Sequence, residues 1–303
     1  MNFTAKDVQA LREMTGVGMM KCKEALTAAD GDMNKAVEIL REKGLAAATK
    51  KAGRIAAEGA VSAIVKDGVG AIVEVNCETD FAAKNEKFTG FAENVAAVVA
   101  DKAPADLDAL LALPYPNSEV TVDGMLKENI LVIGENLKIR RFDRYGEGVS
   151  VPYVHMGGKI GVLVNMEVSD NIKDSEQVVT LGKDLAMQIA AMRPTYLCSK
   201  CVPAEEVAKE EEIIRTQALQ EGKPEKAIES IIKGRINKFY EEICLLSQPF
   251  VKENKISVSQ HVANVAKELG GQITVKAFTR YEKGEGIEKK EDNFAAEVAG
   301  MVK

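Results

Sequence analysis

Apolar residues recur at helical spacing three times within the first 54 positions. Thr4 stands where it can cap a helix whose apolar positions Val8, Leu11 and Met14 share one face. Thr15-Gly16-Val17-Gly18 breaks that pattern. A second helix is predicted from Met19 to about Ala29, ended by Asp30-Gly31-Asp32. A third runs from about Asp32, with Ala36, Val37, Ile39 and Leu40 inward, to a stop at Gly44. Three short helices joined by tight turns imply a compact bundle. Residues 46–57, with Lys50, Lys51 and Arg54, read as a basic helical linker.

The pattern then changes period and repeats itself. Gly70-Ala71-Ile72-Val73-Glu74-Val75 is followed by Thr79-Asp80 and a helix containing Val95, Ala96 and Val99. Gly161-Val162-Leu163-Val164-Asn165-Met166 is followed by Ser169-Asp170 and a helix containing Leu185, Ala186 and Ile189. Each copy reads as a strand pair (60–65 with 71–76; 150–155 with 161–168), a helix and a late strand (137–142; 273–281). Phe142-Asp143-Arg144-Tyr145 recurs as Phe278-Thr279-Arg280-Tyr281, at a larger offset than the strands. The second copy therefore carries an insertion. Residues 204–219 and 225–243 supply it as a helical hairpin around Gly222-Lys223-Pro224, with the stripe Ile228, Ile231, Ile232, Ile236, Phe239, Ile243. Such a stripe needs a partner, and the mate helix is apolar at few positions. The hairpin either makes a homodimer or only protrudes. A last short helix is predicted at 293–302, with Phe294 and Val298 on one face.

The fold class is accordingly α+β: a bundle and linker at 1–55, a duplicated core at 56–147 and 148–282, the hairpin inserted at 204–243, and a C-terminal helical module at 283–303. The length of 303 residues, at about 150 per domain, allows roughly two domains with their own cores. A hydrophobic content of 46% with 28% charged residues is too apolar for disorder. Apolar stretches such as 91–100 end well short of the ~18 residues a membrane span needs. The opening MNFTAKDVQALREM has no apolar signal core, so neither secretory nor mitochondrial targeting is expected.

Charge and composition narrow the chemistry. The net charge of −6 argues against a nucleic-acid surface, which needs concentrated positive charge. That charge is uneven: the first 54 residues hold 10 basic against 7 acidic groups, or +3, leaving −9 on the rest. Two histidines, His155 and His261, leave little for imidazole catalysis or a His-rich metal site. Five cysteines, an odd number, fit a reducing cytoplasm. Composition thus leans towards a binding protein.

The copies differ most where strand meets helix: Thr79-Asp80-Phe81 in the first, Asp170-Asn171-Ile172 in the second. Asp80 can be a helix N-cap, and Phe81, seven residues before Phe88, falls on the stripe Phe88, Phe91, Ala92, Val95. Pattern alone favours core packing for Phe81. The competing reading is a rigid tip presenting an aromatic wedge beside a carboxylate. Under that reading Asn171 and Ile172 are expected to be replaceable without comparable loss. Cys198-Ser199-Lys200-Cys201 has the spacing of a zinc half-site or redox pair. It lacks a second ligand pair and follows Pro194-Thr195-Tyr196, so ordinary thiols are favoured. Thr15-Gly16-Val17-Gly18 lacks the Gly-Lys-Ser/Thr of a phosphate loop. Met19 and Met20 suit either bundle core or an adaptable contact surface. His155-Met156-Gly157-Gly158 reads as a tight turn between strands. No carboxylate pair, Ser-His-Asp set or nucleotide fingerprint emerges.

Residues 15–26, Thr15-Gly16-Val17-Gly18-Met19-Met20-Lys21-Cys22-Lys23-Glu24-Ala25-Leu26, resemble the N-terminal signature of the bacterial elongation factor Ts family. Val75-Asn76-Cys77-Glu78-Thr79-Asp80-Phe81-Ala82-Ala83-Lys84-Asn85 resembles its second signature. Gly134-Glu135-Asn136, His155-Met156-Gly157-Gly158-Lys159-Ile160-Gly161-Val162-Leu163, Gln248-Pro249-Phe250-Val251 and Gly284-Glu285-Gly286-Ile287-Glu288-Lys289 follow in the family's order, over essentially the whole chain. The bundle is similar to a ubiquitin-associated domain. The resemblance implies a cytoplasmic guanine-nucleotide exchange factor for elongation factor Tu, without cofactor or covalent chemistry. It implies partner contacts at Arg12, Met19, Met20 and Lys23 in the bundle. It makes Asp80 and Phe81 the pair whose ring disturbs the magnesium and phosphate site. Ile133, Gly134, His155 and Val251 are implied as further contacts, and the hairpin as the family's coiled-coil protrusion. This chain departs from the pattern at Ala82, commonly Val, at Lys21, usually acidic, and at Lys252, often apolar. A ubiquitin-associated-type adaptor and a CxxC thiol enzyme are the rival classes.

Overall fold

The computed structural model describes residues 2–288. The bundle consists of α1 (Ala5–Thr15), α2 (Met19–Ala28) and α3 (Met33–Lys51). Thr4 caps α1 with Asp7, whose carboxylate accepts from the Thr4 amide at 2.6 Å and hydroxyl at 2.8 Å. Val8, Leu11, Val17, Cys22, Leu26, Ala36 and Leu40 form the bundle core. Two expectations fail here. Met14 lies on the outer face rather than in the core. Gly44 does not stop α3 but sits within it, buried, where an added Cβ would come 3.2 Å from the Lys127 carbonyl oxygen. Its missing side chain lets α3 approach a later helix, and much of the expected linker is the end of α3.

In the first half, β1 (Glu58–Lys66) and β2 (Val69–Cys77) form an antiparallel hairpin. It leads through α4 (Asp80–Ala83) into α5 (Glu86–Lys102), whose Phe88, Phe91, Val95 and Val99 share a core with Val73 and Val75. Then come two helices that the sequence pattern does not mark, α6 (Leu107–Ala112) and α7 (Val122–Ile133). β3 (Lys138–Tyr145) returns beside β2, giving the sheet order β1-β2-β3. α7 carries the bundle: its Leu131 enters the bundle core, Lys21 Nζ donates to the Leu131 carbonyl at 2.9 Å, and Arg41 pairs with Glu128 at 3.5 Å.

The second half repeats this sheet with β4 (Val149–His155), β5 (Ile160–Val168) and, after α8 (Glu176–Met192), a hairpin of α9 (Ala204–Gln220) and α10 (Glu225–Ile243). Short strands β6 (Pro249–Phe250) and β7 (Glu253–Ser257), α11 (Val258–Leu269) and β8 (Ile273–Glu282) complete it, in the sheet order β4-β5-β8. Ile228, Ile232 and Ile236 are buried against Ile214 and Ala218 of α9. The stripe is closed within the chain, so these residues do not require a second copy.

The halves meet through their repeated residues. Asp143 Oδ2 accepts from Thr279 Oγ1 at 3.0 Å and from Tyr281 OH at 2.7 Å, and Tyr145 OH lies 2.8 Å from Thr279 Oγ1. The Phe-x-Arg-Tyr repeat is therefore a contact between its own two copies. Gly70 and Gly161, equivalent positions in the two central strands, both face the opposite half. A Cβ on Gly70 would collide with Ser150, and one on Gly161 with Val61. Val61, Ile72, Leu163 and Tyr281 fill the seam. The helix expected at 293–302, with Phe294 and Val298, lies outside the described residues.

Candidate protein-docking tip

The tip between β2 and α5 departs from the expectation for both of its residues. Thr79, not Asp80, caps α4: its hydroxyl accepts from the Ala82 amide at 3.2 Å. Asp80 is the first helical residue, and its carboxylate takes a 2.7 Å bond from Lys84 Nζ, which holds its pKa below the ordinary value. Phe81 is not on the α5 stripe. Asn85 restarts the chain as the cap of α5, accepting from the Lys87 amide at 2.9 Å, so the seven-residue spacing to Phe88 spans two helices. Ala82 and Ala83 turn inward while the Phe81 ring is 82% exposed.

What makes this exposed ring rigidly placed is a carboxylate 54 residues further along. Gly134 ends α7 with a left-handed φ of 87°, a conformation that suits glycine, and turns the chain towards the tip. Glu135 follows. Its Oε2 accepts from the Glu78 and Thr79 amides, both at 3.0 Å, and its Oε1 from the Thr79 hydroxyl at 2.6 Å. Glu78 answers by accepting from the Asn136 amide at 2.6 Å. The Gly134 carbonyl also receives Lys51 Nζ from the end of α3, and partial burial lowers the pKa of that ammonium. Ile133, Gly134, Asp80 and Phe81 are thus brought together, with the bundle fastened beside them.

The sequence marks Thr79 only as part of Thr79-Asp80-Phe81 and gives the capping role to Asp80, and it assigns Glu135 no role. The one available signal was the motif Gly134-Glu135-Asn136, which says nothing of the segment it grips. Glu135→Ala removes charge-assisted bonds of about 1.5–3 kcal/mol each. The expected result is roughly tenfold or more faster hydrogen exchange of the amides at 78 and 79, read by NMR; unchanged protection would contradict the clamp.

The remaining sites form separate groups. Met19, Met20 and Lys23 lie exposed on the first turns of α2, and Arg12 on α1 is close enough for its charge to act on Cys22. His155 ends β4, exposed, with Nδ1 2.9 Å from Tyr153 OH, beside a Met156 that is 70% exposed. Val251 is exposed after β6, its amide donating to Gln188 Oε1 at 2.9 Å, and the neighbouring Lys252 pairs with Asp184 at 2.7 Å. Among the described residues no hydrogen bond or ion pair joins His155 or Val251 to the Phe81 tip.

The second-half counterpart of the tip is different in kind. Ile172 is buried in the second core, and Asn171 Nδ2 donates to the Gly270 carbonyl at 3.0 Å. Ile172 is thus a member of the second core and not a solvent-facing tip residue like Phe81. Ile172→Ala is expected to cost about 2–5 kcal/mol of stability, measured by urea denaturation, whereas an unchanged midpoint would contradict its place in the core.

An exposed aromatic on a clamped tip, with exposed methionines on a basic bundle, is the kind of surface suited to docking on another macromolecule. Among the described residues no group of three or more His, Cys, Asp or Glu is placed to hold a metal, and no helix is long and apolar enough to cross a membrane. The sequence profile of the family described as "Elongation factor TS" matches residues 78–285. The elongation factor Ts of Syntrophotalea carbinolica is 50% identical over 305 residues, covering 100% of both chains. That of Clostridium perfringens strain SM101 is 50% identical over 303 residues, covering 99% of each. That of Trichlorobacter lovleyi is 48% identical over 305 residues, covering 99% of this chain and 98% of its own. The chain belongs to the elongation factor Ts family, a family of translation elongation factors.

Proposed function

We propose that the chain is a guanine-nucleotide exchange factor that binds GDP-loaded elongation factor Tu in the cytoplasm and promotes GDP release. The observation that carries this reading is Phe81, a large ring left 82% exposed on a tip capped by Thr79 and clamped by Glu135. Solvated aromatics held this rigidly are suited to insertion between elements of a partner, because little conformational entropy is lost on binding.

In this reading the chain has four parts: bundle and linker (1–55), two copies of one α+β core (56–147 and 148–282) with the hairpin at 204–243, and a C-terminal module (283–303). Arg12, Met19, Met20 and Lys23 of a ubiquitin-associated-like bundle hold the GTPase domain. Asp80 and Phe81, with Ile133 and Gly134 beside them, enter near the magnesium and phosphate site. His155 and Val251 contact the partner elsewhere. Displacing magnesium removes the largest local positive charge on the phosphates and weakens their hold.

No covalent step is needed. If binding the chain lowers GDP affinity by some factor, GDP lowers the chain's affinity by the same factor. Acceleration follows from tighter binding to the nucleotide-free state. Stopped-flow release of fluorescent GDP from elongation factor Tu tests the proposal: added chain is expected to speed release, and an unchanged rate would refute it.

A further inference from the structure

Cys198 and Cys201 lie outside every surface used above, at the root of the hairpin. Cys198 precedes a 3-10 turn, Ser199–Cys201, that ends just before Pro203 and α9. The Cys201 amide donates to the Cys198 carbonyl at 2.9 Å, and the turn brings the two sulfurs to 2.8 Å. A disulfide bond is about 2.05 Å long, so closure needs a movement of under about 1 Å. Access matches geometry: Cys201 is exposed and Cys198 half-buried, whereas Cys22, Cys77 and Cys244 are buried. Burial pushes the Cys77 thiol up to about 12 and the Cys244 thiol up to about 11, which keeps both from ionising near neutrality.

The pair also sits where a covalent link would matter mechanically. The Thr195 and Tyr196 amides both donate to the Ile243 carbonyl at 2.9 Å, at the end of α10. The Leu246 amide donates to the Leu197 carbonyl at 3.0 Å, and Tyr196 OH to Glu206 Oε2 at 2.6 Å, in the first turn of α9. Residues 195–206 therefore form a strap joining both ends of the hairpin to the core, with the cysteines midway along it.

We propose that Cys198 and Cys201 are a reversible dithiol, oxidised to an intramolecular disulfide by exchange with a low-molecular-weight disulfide, and that the bond stiffens the hairpin root. One protein thiolate attacks a sulfur of the small disulfide, forming a mixed disulfide and expelling one small thiolate. The second protein thiolate then attacks the protein sulfur of that mixed disulfide and expels the other small thiolate. The chain loses two protons and two electrons, and the reagent gains them as two thiols. Among the described residues no third ligand completes a metal set around the pair.

The test uses the full chain, equilibrated natively with graded ratios of oxidised to reduced glutathione, then acid-quenched, denatured and alkylated for mass spectrometry. The oxidised form is expected to lose the mass of two hydrogens and two of its five alkyl tags, with Cys198 joined to Cys201 in the peptide map. Dithiothreitol is expected to restore all five tags. Cys198→Ser and Cys201→Ser are each expected to take up one glutathione instead. Hydrogen exchange in the first turn of α9 is expected to slow severalfold on oxidation of the natural chain. Accumulated glutathione adducts on the natural chain, disulfide-linked dimers or five tags at every ratio would each overturn the dithiol. Unchanged exchange in α9 would overturn the stiffening.

Discussion

Replacing Phe81 by alanine is expected to slow GDP release from elongation factor Tu by roughly 30-fold while leaving the thermal midpoint of the chain unchanged. The two halves of that expectation have different physical origins. An 82% exposed ring contributes little to the chain's own core, so its removal creates no cavity. In the proposed function the same ring is buried in the partner as the nucleotide leaves, and truncating an aromatic anchor costs about 2 kcal/mol or more; lost from that state alone, it corresponds to the stated factor. The neighbouring groups sharpen the reading. Thr79, Glu135 and the buried Ala82 and Ala83 stay in place in the variant, so the clamp survives and only the ring is lost. Circular dichroism melting and stopped-flow GDP release check the two halves separately.

The largest expected loss of stability lies elsewhere, at Glu74. This carboxylate is fully buried in β2 and satisfied on every side. Its Oε1 accepts from Arg140 Nη1 at 3.0 Å, Asn76 Nδ2 at 3.0 Å and the Gly284 amide at 2.8 Å, and its Oε2 accepts from Arg141 Nε at 2.6 Å. Arg141 also stacks over the Tyr281 ring at 4.2 Å and pairs with Glu285 at 3.2 Å. One anion thus ties the first sheet to the last strand of the second half and to the segment after it. Glu74→Ala leaves the Arg140 guanidinium facing a void without its counter-charge and leaves Arg141 with Glu285 alone. Breaking a buried pair by removing one partner costs about 3–5 kcal/mol, and a fall of that size in urea-derived stability is expected. A change under about 0.5 kcal/mol would show that the arginines find other partners.

Long, regular periodicities were legible in the sequence. The hairpin helix 225–243 follows from its single dry stripe, and the central strands follow from short apolar runs, which are buried on both faces. α7 escaped for the opposite reason: Ile130 packs into the first core and Leu131 into the bundle, so its apolar residues point two ways and no single stripe emerges. Gly44 carried a true signal with two meanings, since a glycine marks either a helix end or a close approach, and here it marks the approach. Phe81 misled in the same way, because Asn85 restarts the helix between it and the stripe. The Glu135 clamp has no local signature at all. It joins residues 56 and 57 positions apart through side-chain-to-backbone bonds, which spacing cannot reveal. The two copies differ visibly in sequence at the tip, but the sequence does not say which of the two residues, Phe81 or Ile172, is exposed. Burial of Ile172 against exposure of Phe81 is decided by what packs around each, and in the second half that is the second core and Gly271, where an added Cβ would come 2.6 Å from Ile172 Cδ1.

The central claim is that the exposed tip drives nucleotide out, beyond any part it plays in holding the partner. The most direct test compares the natural chain with Phe81→Ala in the release of fluorescent GDP from elongation factor Tu, over chain concentrations up to saturation. The natural chain is expected to accelerate release to a plateau. The variant is expected to saturate at a similar concentration but at a plateau roughly 30-fold lower. A variant that reaches the natural plateau once enough is added, or a natural chain that leaves release unchanged, would contradict the claim.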